Sequence, residues 1–145
     1  VTTVVYRDGC LAADTLLTSH THRDGYVTKI RKRGPFLAGA SGTWPFALAF
    51  LDWFSKGLPE DRKPTMQSKD AKDGASGYIF RPDGLVLTFT AFGWTWKRAP
   101  FYAFGSGADY AYGAMTMGAT AEEAVRAALV HETASGGPIT VLRHW

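Results

Sequence analysis

The feature that most constrains this chain is a turn signal that recurs between short apolar runs. Asp8-Gly9 separates TTVVYR (residues 2–7) from CLAAD (10–14). Asp-Gly tolerates the positive φ angles of a tight hairpin, so the spacing predicts two antiparallel strands. Gly34-Pro35 punctuates a second pair, YVTKIRKR (26–33) and FLAGAS (36–41). Pro82-Asp83-Gly84 does the same inside SGYIFRPDGLVLTF (76–89). Successive hairpins build antiparallel meanders, whereas parallel strands need long crossovers.

Helical periods interrupt these pairs at three places. In GTWPFALAFLDWFSKG (42–57), Thr43 is the predicted cap and Pro45 sits in the first turn. Phe46, Ala49, Phe50 and Trp53 recur at helical spacing, and Gly57 stops the run. Ser106 and Asp109 form a capping-box-like pair at the head of SGADYAYGAMTMG (106–118). Thr120 and Glu123 form another in TAEEAVRAALVHE (120–132), where Ala121, Val125, Ala128 and Leu129 supply an apolar face. Residues 58–75 are polar, lysine-rich and broken by Pro59 and Pro64, which predicts a loop with at most one helical turn. TAFGWTWKRAPFYAFG (90–105) reads as strand, and PITVLRHW (138–145) as a last one. The order is strands, helix, strands, two helices, strand. That predicts an α+β domain over 1–145, with two antiparallel sheets between helices. No repeat or linker divides it.

Composition narrows the function classes. Of the 145 residues 46% are hydrophobic and 20% charged, which excludes disorder as the default. The one cysteine, Cys10, has no internal disulfide partner, as expected in a reducing cytoplasm. No signal-like segment precedes Thr2 and no apolar run approaches membrane-spanning length, so the expectation is a cytoplasmic protein away from membranes. Net charge is +3 and the basic residues are scattered except in KIRKR (29–33). Such a cluster fits a nucleic-acid patch, a targeting signal or the polar face of a strand; the last reading is preferred, and no nucleic-acid partner is expected.

Several motif readings fail on context. Gly-x-Gly in FGSGADYAYG misplaces the third glycine of a dinucleotide loop and lacks the following acidic residue. GASGT (39–43) departs from a nucleophile elbow at Thr43, so a serine triad with His131 or His144 is set aside. His20-x-His22 lacks further ligands at a metal spacing. Cys10 has no activating base beside it in sequence, and the tryptophans of GWTWKR read as an apolar strand face.

Thr2 remains. A threonine hydroxyl is a poor nucleophile without a base, but an N-terminal threonine carries one in its own α-amino group, with a pKa near 8. Such a site also needs a cation to hold that pKa down, a buried carboxylate to hold the cation, and an N–H for the oxyanion. Asp14 at the end of the second strand, Lys29 in the third and Gly42 before the first helix are candidates, and residue chemistry alone leaves them as candidates.

TTVV, GCLAADT, YVTKI, AGASGT, YAFGSGADYAYGAM, TAEEAVRAA and ASGG, in that order and at similar spacing, resemble the proteasome β-subunit family, which includes the bacterial peptidase HslV. The resemblance covers almost the whole chain. It implies the four-layer αββα sandwich of N-terminal-nucleophile hydrolases, trimmed here in the 58–75 region. It implies a threonine peptidase with Thr2 as nucleophile, Asp14 and Lys29 as the supporting ion pair, and Gly42 as the oxyanion donor. Ser106, Ser135 and Glu132 match further site positions, with glutamate standing where the family carries aspartate. By the same register Leu17, Thr18, Val27, Ala40 and Trp44 line the specificity pocket, which implies a preference for apolar side chains.

The resemblance further implies homo-oligomeric rings that enclose the sites, unfolded polypeptides as substrates and an ATPase unfoldase as partner. It implies no required cofactor; some HslV-type peptidases hold a sodium ion through backbone carbonyls, which would fall near Ala128, His131 and Ala134. Val1 precedes Thr2. It is expected to be an initiator residue, a one-residue propeptide, or the mark of a silent ring subunit. An N-terminal-nucleophile amidase acting on a small amide is the other alternative.

Overall fold

The computed structural model describes residues 2–19 and 22–145. Eleven strands and three helices are described: β1 Val4–Arg7, β2 Cys10–Ala13, β3 Leu16–Ser19, β4 His22–Tyr26, β5 Ile30–Arg33, β6 Phe36–Gly42, α1 Trp44–Ser55, β7 Ala75–Phe80, β8 Leu85–Thr90, β9 Gly93–Arg98, β10 Phe101–Phe104, α2 Ala108–Thr116, α3 Ala121–His131 and β11 Thr140–Arg143. A four-stranded sheet runs β10-β1-β2-β11, and a five-stranded one runs β5-β6-β7-β8-β9. All pairings are antiparallel, and β3-β4 forms a separate ribbon.

Three apolar cores between four layers follow from strand alternation. Val4 and Tyr6 of β1 face inward with Leu11 and Ala13 of β2, meeting Ile30, Leu37, Phe80 and Val86 of the other sheet. Val5 and Ala12 point to the opposite side, under Ala111 and Met115 of α2 and Ala121, Ala124, Val125 and Ala128 of α3. Register keeps each set together, since Val5 pairs with Ala12 and Tyr6 with Leu11. Both faces of this sheet are covered, so its strands are apolar throughout rather than alternating. The third core lies between α1 and the five-stranded sheet, where Phe50, Leu51, Trp53 and Phe54 meet Ala38, Ala40, Ile79 and Phe89. The αββα order expected from the sequence is present.

The layer holding α1 is the trimmed one. Residues 58–74 contain a single 3-10 turn, Glu60–Arg62, in place of a second helix. Trp53 Nε1 donates to the Pro59 carbonyl at 2.8 Å, and Met66 packs into the α1 core. These contacts tie the short segment down.

Local expectations fail at three points. The strand read over 26–33 is split, because Tyr26 ends β4 and Ile30 begins β5, so Lys29 lies just before a strand rather than within it. The β3-β4 ribbon carried no turn dipeptide, and its connection at residues 20–21 lies outside the described residues, together with Val1. The cap of α2 is Gly107 with no side-chain bond, so Ser106 and Asp109 do not form a capping box. Thr120 and Glu123 do, each bonding the other's backbone amide at 3.2 and 2.9 Å. Thr43 occupies the cap position of α1 without a side-chain bond.

Candidate functional site

Strand pairing brings the amino-terminal segment against the end of β2. The Asp14 amide donates to the Thr3 carbonyl at 3.1 Å, while the Thr3 amide donates to Asp14 Oδ1 at 3.0 Å. Asp14 is fully buried. Its carboxylate also accepts Lys29 Nζ at 2.9 and 3.0 Å and the Gly136 amide at 3.1 Å. A buried carboxylate persists as an anion only with such partners. Lys29 is itself 3% exposed. Burial pushes its pKa below the ordinary lysine value, and the Asp14 charge and hydrogen bond oppose that shift. The other basic residues of KIRKR turn outward, with Arg31 Nη1 on Asp52 Oδ1 at 2.7 Å.

The GSG segment lies flush against Thr2 and Thr3. Ser106 Oγ accepts the Thr2 N–H at 3.1 Å, and the Gly107 amide donates to the Thr2 carbonyl at 3.2 Å. A Cβ on Gly105 would overlap the Thr2 carbonyl, and one on Gly107 would overlap Thr3 Oγ1. Glycine is needed on both sides of Ser106 because the backbones approach so closely. Thr3 Oγ1 lies 2.8 Å from Ser135 Oγ, both buried, so the 134–136 loop grips the segment that runs from Thr2 into β1.

Thr2, Lys29 and Gly42 open onto one cavity of about 530 Å³. Gly42 ends β6 at a φ of 113°, a conformation glycine adopts without strain. A Cβ there would strike the Gly74 carbonyl.

The expected residues thus divide. Thr2, Lys29, Gly42, Leu17, Thr18 and Trp44 line the cavity. Asp14, Ser106 and Ser135 support it from behind through the bonds above. Ala40 is 2% exposed and belongs to the core under α1, because its side chain leaves β6 on the helix side. Val27 is half-buried outside the lining, with its amide on the Thr15 carbonyl. Glu132 Oε1 accepts the Ala134 amide at 2.7 Å, a bond within its own loop. Of the residues named for sodium, Ala128 already gives its carbonyl to the Glu132 amide. No group of three His, Cys, Asp or Glu side chains gathers among the described residues. His144 is held by Tyr6 Oη at 2.7 Å and the Pro35 carbonyl at 2.6 Å, and no triad forms around it.

Sequence reasoning missed Thr3, whose hydroxyl and amide tie two loops together, and the Gly136 amide on Asp14. Their signal was present only as the second threonine of TT and the first glycine of SGG.

No protein-family model and no curated protein sequence matches the chain. Solved structures do. BPH of Thiobacillus denitrificans in complex with epoxomicin is 25% identical, with a TM-score of 0.67, covering 99% of this chain and 98% of that one. A second structure of the same protein is 26% identical at a TM-score of 0.66, with 99% and 98% covered. Eukaryotic HslV from Trypanosoma brucei is 17% identical at a TM-score of 0.65, with 99% of each chain covered. The likeness extends end to end, and the chain shares the αββα fold of these proteins, that of HslV- and proteasome-like N-terminal-nucleophile hydrolases.

Proposed function

We propose that this protein is a threonine peptidase with Thr2 as nucleophile, acting once its amino group is free. The observation that carries the reading is the arrangement of Thr2, Lys29 and Gly42 on one cavity, with Asp14 buried behind Lys29. Thr2 Oγ1 attacks the peptide carbonyl carbon, and its proton passes through a water to the α-amine. The cation of Lys29 holds that amine neutral, and the Gly42 amide stabilises the tetrahedral oxyanion. The amine fragment leaves with a proton, and water then hydrolyses the ester to regenerate Thr2. Ser106, already 3.1 Å from the Thr2 nitrogen, orients the amine, and Ser135 holds Thr3 beneath it. No cofactor takes part in these steps.

Homo-oligomeric rings are part of the same reading, with unfolded polypeptides as substrates and an ATPase unfoldase as feeder. The likeness to HslV supports the ring, and the complex of the Thiobacillus protein with epoxomicin suggests the probe. Intact-mass spectrometry of the purified chain tests the proposal. The expected result is a chain starting at Thr2 that gains one epoxyketone adduct, with Thr2→Ala abolishing both adduct and turnover. Retention of Val1 without labelling overturns it and favours a silent ring subunit. Labelling with turnover of small amides alone favours an amidase.

A further inference from the structure

The β3-β4 ribbon does not pair evenly. Leu17 lies opposite Gly25 and Thr18 opposite Arg23, which leaves Asp24 as an extra residue on β4. A bulge of this kind breaks the alternation of a strand and re-aims its side chain, and bulges cluster beside active sites. Asp24 lines the same cavity as Thr2, alongside Leu17 and Trp44. It differs from Asp14 in that it is exposed and makes no ion pair with a described residue. Asp24 thus adds an exposed carboxylate to a lining that includes Leu17 and Trp44, whereas the residues that the sequence resemblance implied for the pocket carry no charge.

We propose that Asp24 is a specificity-determining residue, selecting peptides that place a lysine or arginine side chain in this cavity; the proposal rests on the peptidase reading of the site. Long basic side chains lay their methylene stems on apolar surface and keep the charged head toward solvent. Leu17 and Trp44, both partly exposed, supply that surface, and the exposed Asp24 supplies the counter-charge. The buried Lys29 opposes this only weakly, since Asp14 offsets its charge at 2.9 Å. Lys72, exposed on the same lining, does oppose it. An exposed pair of this kind gives a preference of about five-fold at low salt, and added salt screens it.

Fluorescence anisotropy tests the proposal on the full chain carrying Thr2→Ala, so that the probe is not consumed. The probes are labelled peptides identical except for one lysine, norleucine or glutamate. The lysine peptide should bind about five-fold tighter than the norleucine peptide at low salt, and the gap should close at high salt. Asp24→Asn should equalise the two peptides, Asp24→Lys should favour glutamate, and Lys72→Ala should widen the lysine preference. Equal binding by the Thr2→Ala chain, absence of binding, or a preference that survives Asp24→Asn overturns the proposal. Hydrolysis of the same peptides by the wild-type chain is read separately: binding selectivity without turnover rejects the peptidase and leaves Asp24 standing, and turnover without selectivity does the reverse.

Discussion

Replacing Asp14 by asparagine removes one charge from the centre of the site while keeping its size. The carboxylate accepts the Thr3 amide, both contacts from Lys29 Nζ, and the Gly136 amide. Asparagine offers a single acceptor oxygen, and its NH2 then faces groups that are themselves donors. Lys29, 3% exposed, loses the charge of the carboxylate that holds it. Removing one partner of a buried pair in this way costs about 3–5 kcal/mol, more than a typical core truncation of one methylene. For a domain of this size the loss lowers Tm by roughly 10–16 °C. Urea unfolding followed by tryptophan fluorescence measures it, with the midpoint falling and the slope m unchanged. Lys29→Met should cost a similar amount, and Asp14→Asn combined with Lys29→Met should cost clearly less than the two singles together. If Asp14→Asn lies within about 1 kcal/mol of wild type, or the double variant is simply additive, the pair is not the buried anchor described above.

The pH dependence of Lys29 carries a definite sign. Burial lowers its pKa from the ordinary 10.5, so between the two values the unfolded chain binds more protons than the folded one. The Lys29 contribution to stability therefore rises with pH through that window, whereas catalysis that needs the cation falls. Denaturation and kcat/KM profiles should run in opposite directions there, with the stability rise lost in Lys29→Met; a rate limb at the ordinary lysine pKa would refute the assignment. Two glycines give a matched pair of expectations. Gly107→Ala drives a Cβ into Thr3 Oγ1 and should destabilise by about 1–3 kcal/mol with loss of turnover. Gly113→Ala, within α2 and with nothing within 4 Å of the new Cβ, should stabilise by about 1 kcal/mol. Thermal melts of the two variants check both signs.

The sequence by itself determined the features whose physics closes within a few residues. The Asp8-Gly9 hairpin, the Thr120–Glu123 capping box and the apolar strand runs follow from turn conformations and from bonds three residues apart. Thr2, Asp14, Lys29 and Gly42 were singled out by motifs whose order resembles the proteasome β-subunit family; the structure sets Thr2, Lys29 and Gly42 on one cavity and Asp14 against Lys29. The tertiary structure decided the rest, because the partners lie far apart along the chain. Ser106 reads locally as a cap but bonds Thr2, 104 residues away. Ser135 reaches Thr3 across 132 residues. Ala40 leaves the pocket for the core, and Asp24 enters the cavity, through strand alternation and a bulge in register. Pairing register is a collective property of two strands and the core beneath them, so one strand's residues do not specify which face a side chain joins.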